Sequence, residues 1–262
     1  MTEPDMPTPP WERARRRPAP ARVPLTRERI VDAAFAVLDR EGLDGLSMRR
    51  VAAELDVAVS ALYAHVDNKD ELLELMYRRF FDGLHLPEPD PERWQDQLKE
   101  YARQSRVRLL SHRDMARISM GQMPFSPELL PHVEKLLALL RAGGLPDRVT
   151  AIAGDLLSTY IDGFVAEESI WQSRYQGADT KSWTEIRDDI RDYFASLPPD
   201  RFPNMLAIAN LMVDESNDYR FELGLDILVR GLASYAEPTP PPTGLDTRPP
   251  TGPDTGPAAG ES

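Results

Sequence analysis

The segment that most constrains the fold of this chain is residues 47–66, which predicts two short helices joined by a tight turn. Val51, Ala52 and Leu55 give the first helix one apolar stripe, and Ser47 is a suitable N-cap. In the second helix Leu62 is expected to face the core, and its neighbours are short: Ala58, Val59, Ser60, Ala61 and Ala64. A helix with a short-chained edge fits the DNA major groove, which is about 12 Å wide. The pattern favours a DNA-binding helix-turn-helix, although periodicity alone fits a plain helical hairpin equally well.

Helix signals flank this segment on both sides. Thr26 is placed to cap a first helix over residues 26–41, which Gly42 ends. After the segment, Asn68 and Glu71 form a capping-box pattern that begins a helix running to about Gly83. The sequence therefore predicts a small helical head with the helix-turn-helix at its centre.

The run from Leu25 to about Phe80 resembles the DNA-binding domain of the tetracycline-repressor (TetR) family of bacterial regulators. A helix ending in glycine, then GLSMRRVA, VSALYAHV and NKDELL in that order, carries the resemblance. It implies that base or groove contacts come from Met48, Arg49, Val59, Ser60, Ala61 and Tyr63. It also implies that His65 and Lys69 hold phosphates.

Three later runs resemble the C-terminal domain of the tetracycline repressors: residues 93–124, 162–168 and 218–232. The resemblance implies an all-α homodimer whose helical body holds a small molecule. We therefore expect four parts, namely a Pro- and Arg-rich arm (1–24), the DNA-binding domain (25–70), the ligand-binding and dimerisation domain (71–236) and a Pro-rich tail (237–262). Both terminal parts are predicted to be disordered, because such segments bury little apolar surface.

The same resemblance suggests which residues line the ligand site: His85, Tyr101, Ser119, Gln122 and Glu167. The family's metal-binding histidine falls on Ser119, and a hydroxyl is a poor replacement for imidazole. We therefore expect neither a metal nor another cofactor. Nearby methionines and aromatic residues suggest an apolar or aromatic effector: Met115, Met120, Met123, Phe125, Phe164 and Trp171.

Composition is compatible with this scheme. The chain of 262 residues has no cysteine, no signal-peptide pattern and no run of about 18 apolar residues, so we expect a cytoplasmic protein without a membrane span. The chain has a net charge of −12, and even residues 25–69 contain six Lys/Arg against eight Asp/Glu. Binding to DNA therefore depends on where the cations lie. Five arginines lie within residues 11–24, and this arm either contacts DNA or is a solvated tail.

Helical periodicity continues through the body. It predicts helices at 92–110, 113–120, 126–143, 147–171 and 183–197, one or two turns at 205–211, and a last helix at 218–235. The helices at 147–171 and 218–235 are apolar on more than one side. They are therefore expected either to pair across a two-fold axis or to form the core of a monomer.

The four histidines are not spaced as a metal pair, and no phosphate loop or nucleophile elbow is present, so an enzyme is not expected. The sequence predicts a dimeric repressor that a small molecule releases from a palindromic operator. An activator of the same fold and a helical small-molecule carrier remain as alternatives.

Overall fold

A computed structural model describes residues 24–174 and 183–236 of the chain. Within these ranges the chain forms helices and no strand, which confirms the all-α prediction. The helices are α1 (Arg27–Gly45), α2 (Met48–Glu54), α3 (Val59–Leu62), α4 (Lys69–Phe81), α5 (Trp94–Leu110), α6 (Met115–Met120), α7 (Leu130–Ala142), α8 (Asp147–Arg174), α9 (Trp183–Ala195), α10 (Pro203–Asp214) and α11 (Asn217–Ala233). The predicted arm, apart from Pro24, and the whole predicted tail (237–262) lie outside the described residues.

The chain divides into two compact units. The first, which we call the head unit, contains the described residues up to Gly83 together with Arg108–Met123. The second, the body unit, contains Leu84–Val107 and the described residues from Pro124 onward. This division differs from the expected boundary after residue 70, because all of α4 and the later segment with α6 cluster with the DNA-binding helices.

Side-chain caps begin three helices of the head unit as the sequence predicts. The Thr26 hydroxyl accepts from the Arg29 N–H (3.3 Å), the Ser47 hydroxyl from Arg50 N–H (3.4 Å), and the Asn68 carbonyl from Glu71 N–H (2.9 Å). Gly42 has φ 74°, and α1 kinks there before one further turn. The apolar stripes meet in a core that includes fully buried residues from α1, α2, α3 and α4: Ile30, Leu38, Val51, Leu62, Leu72 and Met76.

In the body unit, α8 packs against α7 and α11. Its Leu157, Ile161 and Val165 are buried, as are Leu225 and Val229 of α11. Over Asp147–Gln172, α8 is long and apolar enough to cross a membrane, but a core helix of a soluble protein meets the same criterion. A third of its most apolar window is buried inside the body unit, and we read α8 as a packing helix.

Two helix predictions for the body were wrong. The helix expected from Ser126 begins instead at Leu130, and the Ser126 hydroxyl is buried without a hydrogen-bond partner among the described residues. A start at Pro127 would place Pro131 in the helix interior, where it lacks the N–H that the helix needs. The turn or two expected at 205–211 is a full helix, α10, which starts at Pro203.

Candidate DNA-binding surface and ligand cavity

The helix-turn-helix of the head unit consists of α2, a turn and α3. Asp56 takes a left-handed conformation in the turn (φ 52°), and the Val57 N–H bonds to the Ala52 carbonyl at 3.0 Å. Leu62 is completely buried, so it fixes α3 against the core and turns the opposite side of that helix outward. The outward side carries the short side chains noted in the sequence. The arrangement is a short, smooth helix edge presented to solvent.

The predicted DNA-contacting residues differ in how much of them reaches this surface. Arg49, Ser60 and Tyr63 are exposed, and Tyr63 is 50% accessible. Four others are half-buried: Val59, Ala61, His65 and Lys69. Met48 is only 7% exposed and packs in the head core, because it lies on the same side of α2 as Val51 and Ala52. The structure therefore brings these residues to one region but gives Met48 no accessible side chain for a groove.

Ion pairs occupy several arginines around this surface. Arg27 bonds to Glu71, Arg40 to Glu41 and Glu54, and Arg50 to Glu41, all within 3.2 Å. Arg49 is exposed and has no carboxylate partner among the described residues. The Lys69 amine lies 3.5 Å from the Leu43 carbonyl oxygen. Arg49 is therefore the cation of the helix-turn-helix that is available for a phosphate or a base edge.

Residues 108–123, which we call the coupling segment, bind the rest of the head unit at several places. The Arg108 guanidinium donates to the Phe80 and Arg79 carbonyls at the end of α4 (2.6 and 2.9 Å). The Asp114 carboxylate accepts from the Leu43 N–H, just after the kink at Gly42 (2.9 Å). His112 stacks on Phe35 and lies 2.9 Å from the Asp39 carboxylate. The segment thus joins α1 and α4, and it directly continues α5 along the chain.

The predicted ligand-lining residues are not gathered in one unit. Ser119, which is buried, and Gln122, which is half-buried, belong to the head unit. His85, Tyr101 and Glu167 belong to the body unit. The buried Tyr101 hydroxyl lies 3.0 Å from Nε2 of His132, and burial lowers the pKa of that histidine. His85 is exposed and lies on a shallow cavity of about 450 Å³ beside α5.

Glu167 lines a larger cavity of about 680 Å³ within the body unit, between the end of α8, α9, α10 and the start of α11. Its apolar wall includes two residues that the sequence suggested, Phe164 and Trp171, and others that it did not: Ile190, Phe194, Met212 and Val213. Its polar wall adds Arg187, Arg220 and three glutamates. The other aromatic or methionine candidates lie elsewhere, since Met115 is buried and Met120, Met123 and Phe125 are exposed.

Two guanidinium groups flank the ring of Phe164 at the edge of this cavity. Arg106 and Arg220 each lie 5.5 Å from its centroid. Arg220 pairs with Glu167 at 3.2 Å, and the largely buried Arg106 pairs with Glu168 at 3.0 Å. Both glutamates therefore already have cationic partners. No group of three or more histidine or acidic residues in the described part of the chain could hold a metal ion.

An apolar stripe of the body unit is left exposed by the described residues. Ile152 and Leu156 of α8 are about half exposed, and Leu223 and Ile227 of α11 are 46% and 64% exposed. The opposite sides of the same two helices are buried. Apolar faces of this kind typically mark a protein–protein interface.

Comparison with known families gives one consistent result. The profile of "Bacterial regulatory proteins, tetR family" matches residues 30–76, and that of "Tetracyclin repressor-like, C-terminal domain" matches residues 86–235. An HTH-type transcriptional regulator of Saccharopolyspora erythraea is 31% identical over 81% of this chain and 86% of its own length. The class C tetracycline repressor protein of Escherichia coli is 30% identical over 79% of this chain and 90% of its own length.

Solved structures agree with the sequence comparison. ActR from Streptomyces coelicolor, in its apo form, is 42% identical, with a TM-score of 0.73 over 82% of this chain and 98% of that one. The same TetR family protein in complex with actinorhodin gives a TM-score of 0.74 with the same coverage. The likeness thus spans both the helix-turn-helix and the helical body.

Proposed function

Since this chain belongs to the TetR family of bacterial regulators, we propose that it represses transcription as a homodimer and leaves its operator when a small molecule binds. The chain is a ligand-responsive, DNA-binding regulator, and regulators of this family are not enzymes. They are cytoplasmic in general, and we propose the same location for this chain. The observation that carries the proposal is the short-chained outer edge of α3, held outward by the buried Leu62.

We place DNA on the surface formed by Arg49, Ser60, Tyr63 and the half-buried residues around them. Arg49 supplies a charged donor, Tyr63 a ring and a hydroxyl, and Val59 and Ala61 allow close approach to the groove. His65 and Lys69 flank the same surface, where phosphates are expected. Met48 is left out of the contact set because its side chain is buried.

Two DNA-binding heads that contact two half-sites bind more tightly than one head alone. The exposed apolar stripe on α8 and α11 is the surface through which we expect two copies to associate. Homodimers are typical of this family. Pairing these helices from two copies would bury the stripe and hold the two α3 helices at a fixed spacing. A palindromic operator with half-sites one helical turn apart follows from that symmetry.

Release by the effector requires the body to act on the head. The coupling segment offers the route, because it continues α5 and bonds to both α1 and α4 of the head unit. We propose that the effector, an apolar or aromatic molecule, shifts this segment and with it α4, which changes the spacing of the α3 helices. Coupling is reciprocal, so operator DNA must weaken effector binding by the same factor.

Selection of bound sequences from random duplex DNA tests the proposal directly. The full-length protein should enrich a palindrome, and screening of small aromatic compounds should find one that releases it. Recovery of no preferred sequence would contradict the DNA-binding role. A compound that binds the protein equally well with and without the operator would contradict the release mechanism.

A further inference from the structure

The cavity between α8, α9, α10 and α11 contains a cation without a partner. Arg187 of α9 lines the cavity, and its Nε atom is buried with no hydrogen-bond partner among the described residues. The guanidinium forms no ion pair in the described part of the chain either. Arg187 is half-buried, and a buried donor atom without a hydrogen-bond partner is costly unless another group supplies the missing interaction. The site therefore favours a ligand that brings negative charge.

The other charges of the cavity do not meet this need. Glu167 is paired with Arg220, and Glu168 with Arg106 and the Asn217 amide. Glu215 also lines the cavity and forms no ion pair among the described residues, but its carboxylate is not within bonding distance of Arg187. Arg187 and Glu215 therefore remain available as one donor site and one acceptor site.

The apolar lining of the cavity indicates the rest of the ligand. Phe164, Trp171 and Phe194 supply aromatic surface on α8 and α9. A volume of about 680 Å³ lies within the range of small-molecule sites, which are mostly apolar with a few placed polar groups. An ion pair between Arg191 and Asp214 (2.5 Å) ties α9 to α10 and so fixes two walls of the cavity.

We propose that this cavity binds a small aromatic anion, with the acidic group on Arg187 and the ring system among Phe164, Trp171 and Phe194. Glu215 then accepts a hydrogen bond from a hydroxyl or amine elsewhere on the ligand. The proposal rests on the proposed function, since it assigns that function's effector site to the α8–α11 end of the body and gives the effector a negative charge.

Two matched fluorescent probes test the proposal on the full-length protein. 1-Anilinonaphthalene-8-sulfonate is an aromatic anion, and N-phenyl-1-naphthylamine is its uncharged analogue. Arg187→Gln should weaken binding of the sulfonate about tenfold or more and leave the amine nearly unchanged, because a hydrogen bond to a charged group is lost. Arg187→Lys should keep most of the sulfonate affinity.

Two further variants separate this site from general charge effects. Glu215→Gln removes a negative charge from the same cavity, so it should strengthen sulfonate binding, whereas Arg148→Gln on the exposed start of α8 should change nothing. Equal loss of both probes in Arg187→Gln, or no loss of either, would overturn the proposal. So would binding that appears only when the dimer dissociates, because a second copy would then fill the cavity.

A gel shift with the selected operator, run on the same variants, distinguishes failure of this proposal from failure of the function. Arg187→Gln should bind operator as the unchanged protein does. Operator binding without an Arg187-dependent preference for the sulfonate would reject the site and leave the DNA-binding role intact. If the Arg187-dependent preference for the sulfonate is present but no variant binds operator, the DNA-binding role is rejected and the ligand site is kept.

Discussion

Arg49 and Tyr63 present their polar ends to solvent on the head, and neither side chain supports its core. Arg49→Ala and Tyr63→Ala should each weaken operator affinity about tenfold or more without unfolding the protein, because one good base or phosphate contact contributes about 1–3 kcal/mol. Gel shifts against the selected operator measure the loss, and Arg148→Ala on α8 is the control. Unchanged affinity in both variants would place the reading surface elsewhere.

Gly143 lies directly against the buried indole of Trp94. A Cβ atom at position 143 would come within 2.5 Å of the ring, which is 4% exposed and rigid. Gly143→Ala should therefore lower the free energy of unfolding by about 1–3 kcal/mol through overpacking. Denaturant unfolding of the full chain measures this change.

Gly154 in α8 is the matched control for that substitution. Its added Cβ would meet Leu136 at an ordinary 3.5 Å. Gly154→Ala should be neutral, or stabilising by up to about 1 kcal/mol, because alanine favours the helix. Equal unfolding midpoints for the two variants would contradict the close contact at Trp94.

At the scale of elements, two ion pairs join α5 to α11, and both depend on ionised carboxylates of α11. Arg103 donates two hydrogen bonds to Glu222 (2.7 and 2.8 Å), and these bonds lower the pKa of that carboxyl. Lys99 lowers the pKa of Asp226 in the same way, since its Nζ atom donates to Oδ1 of that carboxylate at 2.5 Å. A lowered folded-state pKa means that this stabilisation is complete above the unfolded values, about 4, and is lost as the pH falls through the folded ones.

The thermal midpoint of the protein should therefore fall on acidification from about pH 5 to pH 3, by less in Glu222→Gln than in the unchanged chain. Thermal unfolding followed by circular dichroism at a series of pH values provides the measurement. Glu92→Gln, an exposed position just before α5 that forms no ion pair among the described residues, is the control. Parallel pH curves for the unchanged chain and Glu222→Gln would show that this ion pair contributes nothing to acid sensitivity.

A hydrogen bond from the Leu43 N–H to the Asp114 carboxylate joins α1 to the coupling segment. Asp114→Ala removes the acceptor of the Leu43 N–H, whereas Asp114→Asn keeps an acceptor oxygen. Hydrogen exchange at Leu43 should be about fivefold faster in the alanine variant, with a smaller change in the asparagine variant, because one hydrogen bond typically contributes about 1 kcal/mol. No change in exchange at Leu43 would mean that Asp114 does not stabilise the last turn of α1 after the kink at Gly42.

The comparison of sequence with structure is also clearest at this scale. Thr26, Ser47 and Asn68 could be predicted as caps because a cap depends on residues three positions away. The cap at Ser126 failed because Pro131, further along, excludes an earlier start. Arg187 and Phe194 could not be assigned to a cavity, because their partners lie on α8, α10 and α11, which sequence periodicity does not place beside α9. The pattern of 183–197 indicated only a helix.

For the whole molecule, the apolar stripe on α8 and α11 connects the fold to DNA recognition. The sequence indicated that both helices need covering on two sides, and the described residues cover one side of each. The exposed second side of these helices favours a dimer face over a monomer core, and dimers are typical of the family. The net charge of −12 limits non-specific attraction to DNA, so placement of both heads on matching half-sites carries the affinity.

The most direct test of this account compares operator affinity before and after the half-sites are moved apart. Insertion of five base pairs at the centre of the selected palindrome rotates one half-site by about half a turn, so a rigid dimer can engage only one of them. The account predicts an affinity loss of about 100-fold or more, and a ten-base-pair insertion should not restore it, because the two α3 helices are held at a fixed spacing. Equal affinity for the original operator and for the operator with five inserted base pairs would contradict simultaneous binding of both half-sites by a dimer.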